Sequence, residues 1–198
     1  MNIGILASHN GTNLQAIINA SEEGKIKSKV SVVISNNSNS GAIERAKRHN
    51  IPFVHLSSKT HIDPSNLDKA ILETLENHRC DFVFLAGYMK KLGEKTLDKF
   101  QGRILNTHPA LLPKYGGKGM YGMNVHNAVI ANKEIESGIS IHNVDENYDT
   151  GKVIAQTGVP VLSDDSPELL CERVMKRERQ FVVETIKKIE EGKIKLKI

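Results

Sequence analysis

The sequence predicts an α/β protein with a mainly parallel, twisted sheet, flanking helices and an antiparallel edge in its C-terminal part. Short apolar runs alternate with longer amphipathic segments through the first hundred residues, an order typical of a parallel sheet with crossover helices. Several runs are apolar throughout, as expected for strands that helices cover on both faces. After residue 108 this alternation gives way to a loop rich in glycine and proline, two neighbouring strand patterns and one long helical pattern.

The first half of the chain contains five predicted strands separated by helices. Each strand is a short, mostly apolar run, whereas the helical segments place apolar residues three and four positions apart. The predicted strands span residues 3–7, 30–34, 52–56, 82–86 and 103–107. The predicted helices span residues 13–20, 43–49 and 67–78, with a shorter helical stretch over 93–100.

Beyond residue 108 the sequence predicts a long irregular loop over 109–121 and a helix over 124–131. Strand patterns over 138–144 and 153–161 are joined by a polar turn, which favours antiparallel pairing. Ser166-Pro167-Glu168 supplies an N-cap, a proline at the first helical position and an early acid, so a long helix over 166–188 is expected. Residues 193–198 alternate lysine with apolar residues, and fit either an edge strand or disorder.

The composition is that of one globular domain spanning residues 1–198. The chain has 27 Lys+Arg and 23 Asp+Glu, a net charge of +4 and 25% charged residues, which are ordinary values for a globular protein. The basic residues are scattered and aromatic residues are few, so a nucleic-acid surface is not expected. No apolar run approaches the roughly 20 residues that cross a bilayer. The predicted partners are small molecules rather than nucleic acid or membrane.

Cysteine and histidine spacing gives no indication of a metal site or a disulfide scaffold. Cys80 and Cys171 lie far apart, outside any CxxC or Cys/His pattern, and the histidines show no ligand spacing. The first residues lack the basic region of a signal peptide. We therefore expect a cytoplasmic protein that uses no metal.

Ligands of open parallel sheets bind beyond the carboxyl ends of the strands. After the first strand, residues 8–13 (Ser-His-Asn-Gly-Thr-Asn) lead straight into a helix. Backbone N–H groups at such a helix start converge on an anion, and the hydroxyls of Ser8 and Thr12 add donors. The segment is neither a P-loop nor GxGxxG, which favours a phosphomonoester over a nucleoside triphosphate. The alternative is an ordinary turn with Thr12 as N-cap.

The segments after the fourth and fifth strands offer a slot and a reacting pair. Residues 87–92 place large apolar side chains after a glycine, and form either the wall of a hydrophobic slot or packing under a loop.

Asn106 and His108, two apart on an extended segment, point to the same side. An amide donates to a developing oxyanion and an imidazole moves a proton near neutral pH. No nucleophilic serine or cysteine stands beside them, so direct attack by a substrate amine on a carbonyl is favoured over a covalent intermediate. The alternative to a catalytic role for Asn106 and His108 is a capped strand end with a hydrogen-bonded histidine.

The polar turn at residues 145–151 is the source of carboxylates for this edge of the sheet. A carboxylate close to His108 would favour the protonated imidazole. The alternative is a solvated hairpin turn. On the preceding strand, the sequence favours His142 as a packed core histidine.

Four segments together resemble the folate-dependent phosphoribosylglycinamide formyltransferases. They are residues 8–14, 85–89, 106–113 (Asn-Thr-His-Pro-Ala-Leu-Leu-Pro) and 144–151, which ends in Asp149-Thr150-Gly151. Their order and spacing match the family from residue 2 to about residue 185. The resemblance implies a Rossmann-like formyltransferase fold. It also implies formyl transfer from 10-formyltetrahydrofolate to the amine of N1-(5-phospho-D-ribosyl)glycinamide, a step of purine biosynthesis that leads to IMP.

The same resemblance implies roles for individual residues. Residues 1–100 would bind the phosphoribosyl substrate, and about 101–190 would bind folate and carry out catalysis, in a monomer or a homodimer. Asn106 would contact the formyl oxygen, His108 would donate a proton, and Asp149 would raise the pKa of His108 and relay protons. The implied contacts to the substrate phosphate and glycinamide end are Gly11, Thr12, Asn13 and Glu178. The implied contacts to folate, besides Asn106, are Met89, Lys90, Lys91 and Leu92.

Three positions depart from the family pattern. His9 stands where the family usually has glycine. Asp63-Pro64-Ser65 stands where an arginine often contacts folate, and Lys59 is a possible substitute. The loop over 114–121 is a glycine-rich variant. None of these departures involves Asn106, His108 or Asp149.

Three other functions fit parts of the pattern. A formyltetrahydrofolate hydrolase would use water as acceptor and usually carries an extra N-terminal regulatory domain. A methionyl-tRNA formyltransferase would need an additional C-terminal RNA-binding domain. A silent folate- or nucleotide-binding module would not need an amide, an imidazole and a carboxylate together.

Overall fold

The strands and helices follow one another in the predicted order. The computed structural model describes residues 1–197. The strands are β1 (Asn2–Ala7), β2 (Lys29–Ser35), β3 (Phe53–His55), β4 (Phe82–Leu85), β5 (Ile104–His108), β6 (Glu136–Asn143) and β7 (Val153–Pro160). The helices are α1 (Thr12–Glu22), α2 (Gly41–Arg48), α3 (Pro64–Asn77), α4 (Glu94–Lys99), α5 (Met123–Ala131) and α6 (Pro167–Glu190).

All seven strands form one sheet in the order β3-β2-β1-β4-β5-β6-β7. The strands β1 to β5 pair in parallel, whereas β6 is antiparallel to both β5 and β7. The predicted mainly parallel sheet with an antiparallel C-terminal edge is therefore confirmed.

Helices cover both faces of the sheet, and alternate residues of β1, β2, β4 and β5 point into separate cores. Side chains of α1, α2, α5 and α6 pack on one face, which Leu105 joins. Side chains of α3 and α4 pack on the other face, which Ile104 joins. Successive residues of β5 therefore alternate between the two faces, and this alternation continues to the end of the strand, where the candidate site lies.

The chain reverses its direction of winding between β1 and β4, which are neighbours in the sheet. Such a switch point opens a crevice at the carboxyl ends of the strands. Ser8 joins the strand ends there: its hydroxyl donates to Oδ1 of Asn36 at 2.6 Å and accepts from the amide of Met89 at 2.8 Å. Its own amide donates to the carbonyl of Gly87 at 3.1 Å. The buried hydroxyl of Ser8 thus donates its one proton to Asn36, and the prediction that it adds a donor for an anion is wrong.

In the C-terminal part of the chain, the structure confirms one prediction and excludes one of two alternatives. Ser166 caps α6 by accepting from the amide of Leu169, and Pro167 is the first helical residue, as predicted. Residues 193–197 form no strand, so an edge strand is excluded for that part of the tail, while Ile194 and Leu196 pack against the core. Residue 198 lies outside the described residues. Within residues 1–197, no helix has the length and apolar character needed to span a bilayer.

Candidate active site

Antiparallel pairing of β5 with β6 brings two histidines and an asparagine to one end of the sheet. Asn106 lies opposite His142, and His108 lies opposite Ser140. Because side chains alternate along a strand, Asn106 and His108 share a face, as the sequence predicted. Thr107 between them points to the opposite face, toward α6.

Asp149 lies between the two histidines. Its Oδ2 is 3.5 Å from Nδ1 of His108, and its Oδ1 is 3.4 Å from Nε2 of His142. The three side chains are 12%, 4% and 3% exposed, respectively. The alternative of a fully solvated turn is therefore wrong for Asp149, although the turn residues 145–148 are exposed.

The backbone aims the Asp149 carboxylate inward. Asp149 has a φ of +57°, a left-handed conformation that Asp and Asn tolerate better than most residues. Its Oδ2 also accepts the amide of Gly117 at 2.9 Å. Burial acts to raise the pKa of Asp149, but the nearby His142 and His108 and the hydrogen bond from the Gly117 amide together outweigh burial. The net pKa is lowered, so Asp149 is ionised at neutral pH.

His108 is held between two acceptors. Its Nε2 lies 2.6 Å from the carbonyl oxygen of Tyr115, which can only accept, so Nε2 carries a proton. Its Nδ1 faces Asp149. Burial lowers the pKa of His108, while Asp149 and the Tyr115 carbonyl raise it and His142 lowers it further. The net pKa is below the usual value of a histidine.

This direction corrects the expectation of a protonated His108. Asp149 does act to raise the pKa of His108, as the resemblance implied, but burial is the larger effect. The ring is therefore mostly neutral at pH 7 in the protein alone. Nδ1 is the nitrogen that can take up a proton, and Asp149 lies where it stabilises the resulting positive charge.

His142 orients the amide of Asn106, a role that the sequence did not suggest. His142 is buried, but a purely packed core histidine is the wrong description, because its Nε2 lies 3.1 Å from Nδ2 of Asn106. Nδ1 of His142 contacts the carbonyl of Asn143 at 2.8 Å, so in the neutral ring Nδ1 donates and Nε2 accepts. One N–H of the Asn106 amide is thus engaged, and its second N–H has no acceptor among residues 1–197, so it can donate to a ligand.

The loop that follows His108 is fastened to the sheet through Ser140. The Ser140 hydroxyl donates to the carbonyl of Ala110 at 2.6 Å and accepts the amide of Leu112 at 2.9 Å. Gln156 on β7 donates both to this hydroxyl and to the carbonyl of Leu112. The start of the loop is therefore fixed beside His108.

At the start of α1, backbone amides face the crevice without a side-chain cap. Gly11, not Thr12, is the N-cap, and no side chain among residues 1–197 caps this helix. Gly11 has a φ of +66°, and a Cβ there would lie 3.0 Å from Ala42 on α2. Glycine is thus required both by the conformation and by the close approach of α2. The alternative of a turn capped by Thr12 is wrong.

Glu178 connects the start of α1 with the end of β5. Its Oε1 accepts the Thr107 hydroxyl at 2.6 Å, and the nearby side chain of Asn13 acts with Thr107 to lower the pKa of Glu178. Asn13 is buried, and its Oδ1 has no partner among residues 1–197. Burial raises the pKa of Glu178, and Thr107 and Asn13 only partly oppose this rise.

The segment after β4 borders the same crevice from the α3–α4 side. Tyr88 and Leu92 are buried in the core on that face, whereas Met89 is 41% exposed. Lys90 is also exposed. Lys91 donates to the carbonyl of Glu146 at 2.8 Å, and its ammonium lies 4.9 Å from the ring of Tyr148. This contact joins the segment to the turn that carries Asp149.

Two predicted positions lie apart from the cluster around His108. Lys59 is exposed in the loop between β3 and α3. The side chain of His9 is exposed, and its carbonyl accepts the amide of Ala42. Within residues 1–197, no group of three or more His, Cys, Asp or Glu residues is arranged to hold a metal ion.

The family model and two related proteins that match this chain are formyl transferases. Residues 1–186 match the family model described as formyl transferase. A chloroplastic phosphoribosylglycinamide formyltransferase of Vigna unguiculata is 40% identical over 97% of this chain, and the chain spans 62% of that protein's length. The phosphoribosylglycinamide formyltransferase of Haemophilus influenzae is 38% identical, with 98% of this chain and 90% of the relative covered.

A solved structure extends the likeness to three dimensions. Glycinamide ribonucleotide transformylase 1 from Symbiobacterium toebii superposes with a TM-score of 0.89 at 35% identity. The superposition covers 97% of this chain and 88% of the other. The family model and these relatives span nearly all of the described residues, including both strand ends that form the site. The chain therefore belongs to the formyl transferase family, among the phosphoribosylglycinamide formyltransferases.

Proposed function

We propose that the protein transfers a formyl group from 10-formyltetrahydrofolate to the amine of N1-(5-phospho-D-ribosyl)glycinamide, in purine biosynthesis. The observation that carries the proposal is the cluster of Asn106, His108, His142 and Asp149 at the end of β5, which pairs with β4 beside the switch-point crevice, in a chain of this family. The cluster combines an amide donor, a proton acceptor and a carboxylate, as acyl transfer without a covalent intermediate requires.

The ribonucleotide would lie across the crevice between the start of α1 and the end of β5. Its phosphate would meet the uncapped amides after Gly11, together with Thr12 and Asn13, at the positive end of the helix dipole. Its glycinamide end would reach Glu178, which already contacts both Asn13 and Thr107. In this arrangement residues 1–100 supply the phosphoribosyl site, and the amine arrives beside Asn106 and His108.

Folate would bind against the other side of the cluster. The exposed Met89 and Lys90 and the neighbouring Lys91 and Leu92 would border the pterin, and Asn106 would reach the formyl oxygen. Lys59 would contact the far end of folate from the loop after β3. Of these contacts, Asn106 lies within residues 101–190, the half of the chain that would also carry the chemistry, and the others come from the first half. No metal takes part in this proposal, and two thiols without a disulfide fit a cytoplasmic, reducing compartment.

The chemistry follows from the states of these side chains. The substrate nitrogen bonds to the formyl carbon as the bond from that carbon to the tetrahydrofolate nitrogen breaks. The free N–H of Asn106 donates to the formyl oxygen as negative charge develops on it. The neutral His108 accepts the proton that the attacking amine loses, and Asp149 stabilises the imidazolium. That proton then passes to the tetrahydrofolate nitrogen, so the site returns to its first state.

An acceptor comparison tests the proposal. Purified protein is supplied with 10-formyltetrahydrofolate and with glycinamide ribonucleotide, methionyl-tRNA or water alone as acceptor. We expect the ribonucleotide to support transfer at least about 10³-fold faster than water, because an oriented nucleophile gains a large effective molarity. Equal rates with and without ribonucleotide would instead indicate a hydrolase, and formylation of methionyl-tRNA alone would indicate a different acceptor.

Substitutions at the start of α1 should weaken ribonucleotide binding selectively. We expect Gly11→Val and Asn13→Leu each to raise the KM for the ribonucleotide by about 10- to 100-fold, because amide donors to a phosphate are displaced or lost. The KM for folate should change less than about threefold. Steady-state kinetics with each substrate varied measures both constants.

Gly24→Val is the matched control for this test. Gly24 also has a positive φ, of +69°, but a Cβ there meets nothing within 4 Å, and it lies at the other end of α1. The control carries the backbone strain without touching the crevice. An unchanged ribonucleotide KM in the Gly11 and Asn13 variants would remove the α1 start from the site.

We expect that replacing Glu178 makes the fold more stable and weakens the binding of the ribonucleotide. The pKa of Glu178 is raised, so below its unfolded pKa the group is neutral in both states and costs nothing. As the pH rises through the folded pKa, the buried carboxylate becomes charged and destabilises the fold. Glu178→Gln keeps an acceptor for Thr107 and removes that charge. We expect its Tm at pH 8 to exceed wild type by about 2–4 °C and the difference to vanish near pH 4.

The same variant should bind the ribonucleotide more weakly, with a KM raised at least about 10-fold, since a charged hydrogen bond to the substrate is lost. Differential scanning calorimetry at both pH values and steady-state kinetics measure the two effects. Glu172→Gln, at an exposed position of the same helix, controls for helix effects. A Glu178→Gln protein that is no more stable at pH 8 and binds normally would contradict both assignments.

A further inference from the structure

The imidazole of His108 is held on its Nε2 side by a backbone group that the proposed chemistry does not use. That group is the carbonyl of Tyr115, 2.6 Å away. Tyr115 lies seven residues further along the chain, in the loop between β5 and α5. The position of this carbonyl therefore decides how the ring of His108 is turned relative to Asp149.

The backbone of Tyr115 adopts a conformation that a bulky side chain rarely takes. Its φ is +56°, which is costly for a residue with a large Cβ substituent. Such a conformation persists only where surrounding contacts impose it. The residues that fix Tyr115 therefore also fix the carbonyl that His108 contacts.

The contact that fixes Tyr115 is made by its side chain with Glu134. The phenol donates to Oε1 of Glu134 at 2.9 Å. The ammonium of Lys114 donates to both oxygens of the same carboxylate, at 3.0 and 3.3 Å. Hydrogen bonds from Lys114 and Tyr115 lower the pKa of Glu134, so the carboxylate is charged over the range in which the enzyme would work.

Glu134 itself is placed by the end of α5. Lys133 has a φ of +52°, and its amide donates to the carbonyl of Ile130 at 3.0 Å. The amide of Glu134 reaches the carbonyl of Val129 at 3.2 Å. This is the bonding pattern of a left-handed helix end, which satisfies the last carbonyls and fixes the direction of the chain that leaves the helix. Glu134 is thus held at the fixed end of α5, from which its side chain reaches Tyr115.

We propose that Glu134 and the side chain of Tyr115 form a clamp that positions His108 for proton transfer. The Tyr115–Glu134 clamp holds the Tyr115 carbonyl against Nε2 and so keeps Nδ1 directed at Asp149. Both residues are positioning residues, since neither side chain touches a reacting atom. The catalytic consequence rests on the formyl-transfer function proposed above, whereas the effect on the His108 ring does not.

Four groups lie near His108, and three of them shift its pKa. They are Asp149 from the β6–β7 turn, His142 from β6, His126 from α5 and the Tyr115 carbonyl. The first and last of these raise the pKa of His108, and His142 lowers it. Loosening the clamp removes a favourable partner of the protonated ring and leaves the other three groups in place. The pKa of His108 should therefore fall.

The kinetic test uses Tyr115→Phe, Glu134→Ala and the double variant. We expect kcat to fall about 10-fold in each single variant, because a displaced catalytic group slows reaction without weakening binding. Both KM values should stay within about twofold. The double variant should be no slower than the singles, since either change opens the same clamp. Glu134→Gln, which keeps an acceptor for the phenol, should restore kcat to within about threefold of wild type.

Tyr121→Phe is the matched control, because Tyr121 is a tyrosine of the same loop with a side chain exposed to solvent. Imidazole NMR titration of His108 in the protein without substrates gives the second readout. We expect a lower His108 pKa in Tyr115→Phe and Glu134→Ala, and the wild-type value in Tyr121→Phe and Glu134→Gln. This titration tests whether the clamp positions the His108 ring even if the protein proves inactive in formyl transfer.

Two results would overturn the clamp. One is an unmoved His108 pKa in both Tyr115→Phe and Glu134→Ala. The other is a loss of thermal stability in these variants with kcat per folded molecule unchanged, which would assign Glu134 a structural role only.

Discussion

Asp149→Asn is expected to lower kcat by about 10²- to 10⁴-fold, the usual loss when a group that acts in proton transfer is removed. The carboxylate faces Nδ1 of His108 and Nε2 of His142 at about equal distances. Its charge raises the pKa of His108 against the larger effect of burial. Without that charge the pKa of His108 falls further, so the acidic limb of the pH–rate profile, where His108 is already protonated and cannot accept the proton of the amine, moves to lower pH.

The substitution is a clean one because asparagine keeps the other features of the site. Asparagine tolerates the φ of +57° at this position and retains an oxygen for the Gly117 amide. Asp145→Asn, in the exposed part of the same turn, is the matched control. The measurement is the pH–rate profile of all three proteins, with folding checked by circular dichroism. Wild-type kcat with an unmoved profile would exclude Asp149 from proton transfer.

Asn106→Leu is expected to lower kcat by about 10²- to 10³-fold, the cost of losing one oxyanion donor. Leucine has nearly the shape of asparagine but no N–H, so the formyl oxygen loses its partner and Nε2 of His142 loses its donor. Because the donor acts most strongly on the charge that develops during reaction, both KM values should change by less than about threefold.

Rapid steady-state assays with each substrate varied separate the two constants. Asn2→Leu serves as control, since this asparagine at the start of β1 also donates one side-chain hydrogen bond, to the carbonyl of Arg79 at 3.0 Å. A variant of Asn106 that raises KM while kcat stays constant would show that the amide binds substrate without stabilising the transition state.

Local signals in the sequence were sufficient to predict the order of the elements. Apolar runs such as residues 82–86 are short and covered on both faces, so their length and composition alone indicate strands of a parallel sheet. The proline and serine that begin α6 act within one turn, and the structure confirms them. Asn106 and His108 could be placed on one face because the period of a strand is fixed.

Features that depend on pairing between distant segments could not be predicted. The register that sets His142 opposite Asn106 arises from β6 docking on β5, and nothing local to His142 signals it. The alternation of Ser140 and His142 on one face of a strand pattern was the available hint. Likewise, the lowered pKa of His108 comes from burial by the whole fold, which outweighs the nearby carboxylate.

Contacts between distant elements account for the two other differences between the sequence predictions and the structure, at Gly11 and Ser8. The N-cap of α1 is Gly11 rather than Thr12, and α2 packs so near that a Cβ on Gly11 would lie only 3.0 Å from Ala42. Ser8 is unavailable to an anion because three strand ends use it. Each of these contacts joins residues more than 25 positions apart, so no local pattern could reveal them.

A rapid-quench single turnover with a labelled formyl group tests the central claim, that the cluster around His108 moves the formyl group directly from donor to amine. Enzyme in excess over labelled 10-formyltetrahydrofolate is mixed with glycinamide ribonucleotide, and the label is followed in donor, ribonucleotide, formate and protein. We expect label to pass from donor to ribonucleotide in one phase, with no label on the protein. Label that appears first on the protein, or that leaves only as formate, would contradict it.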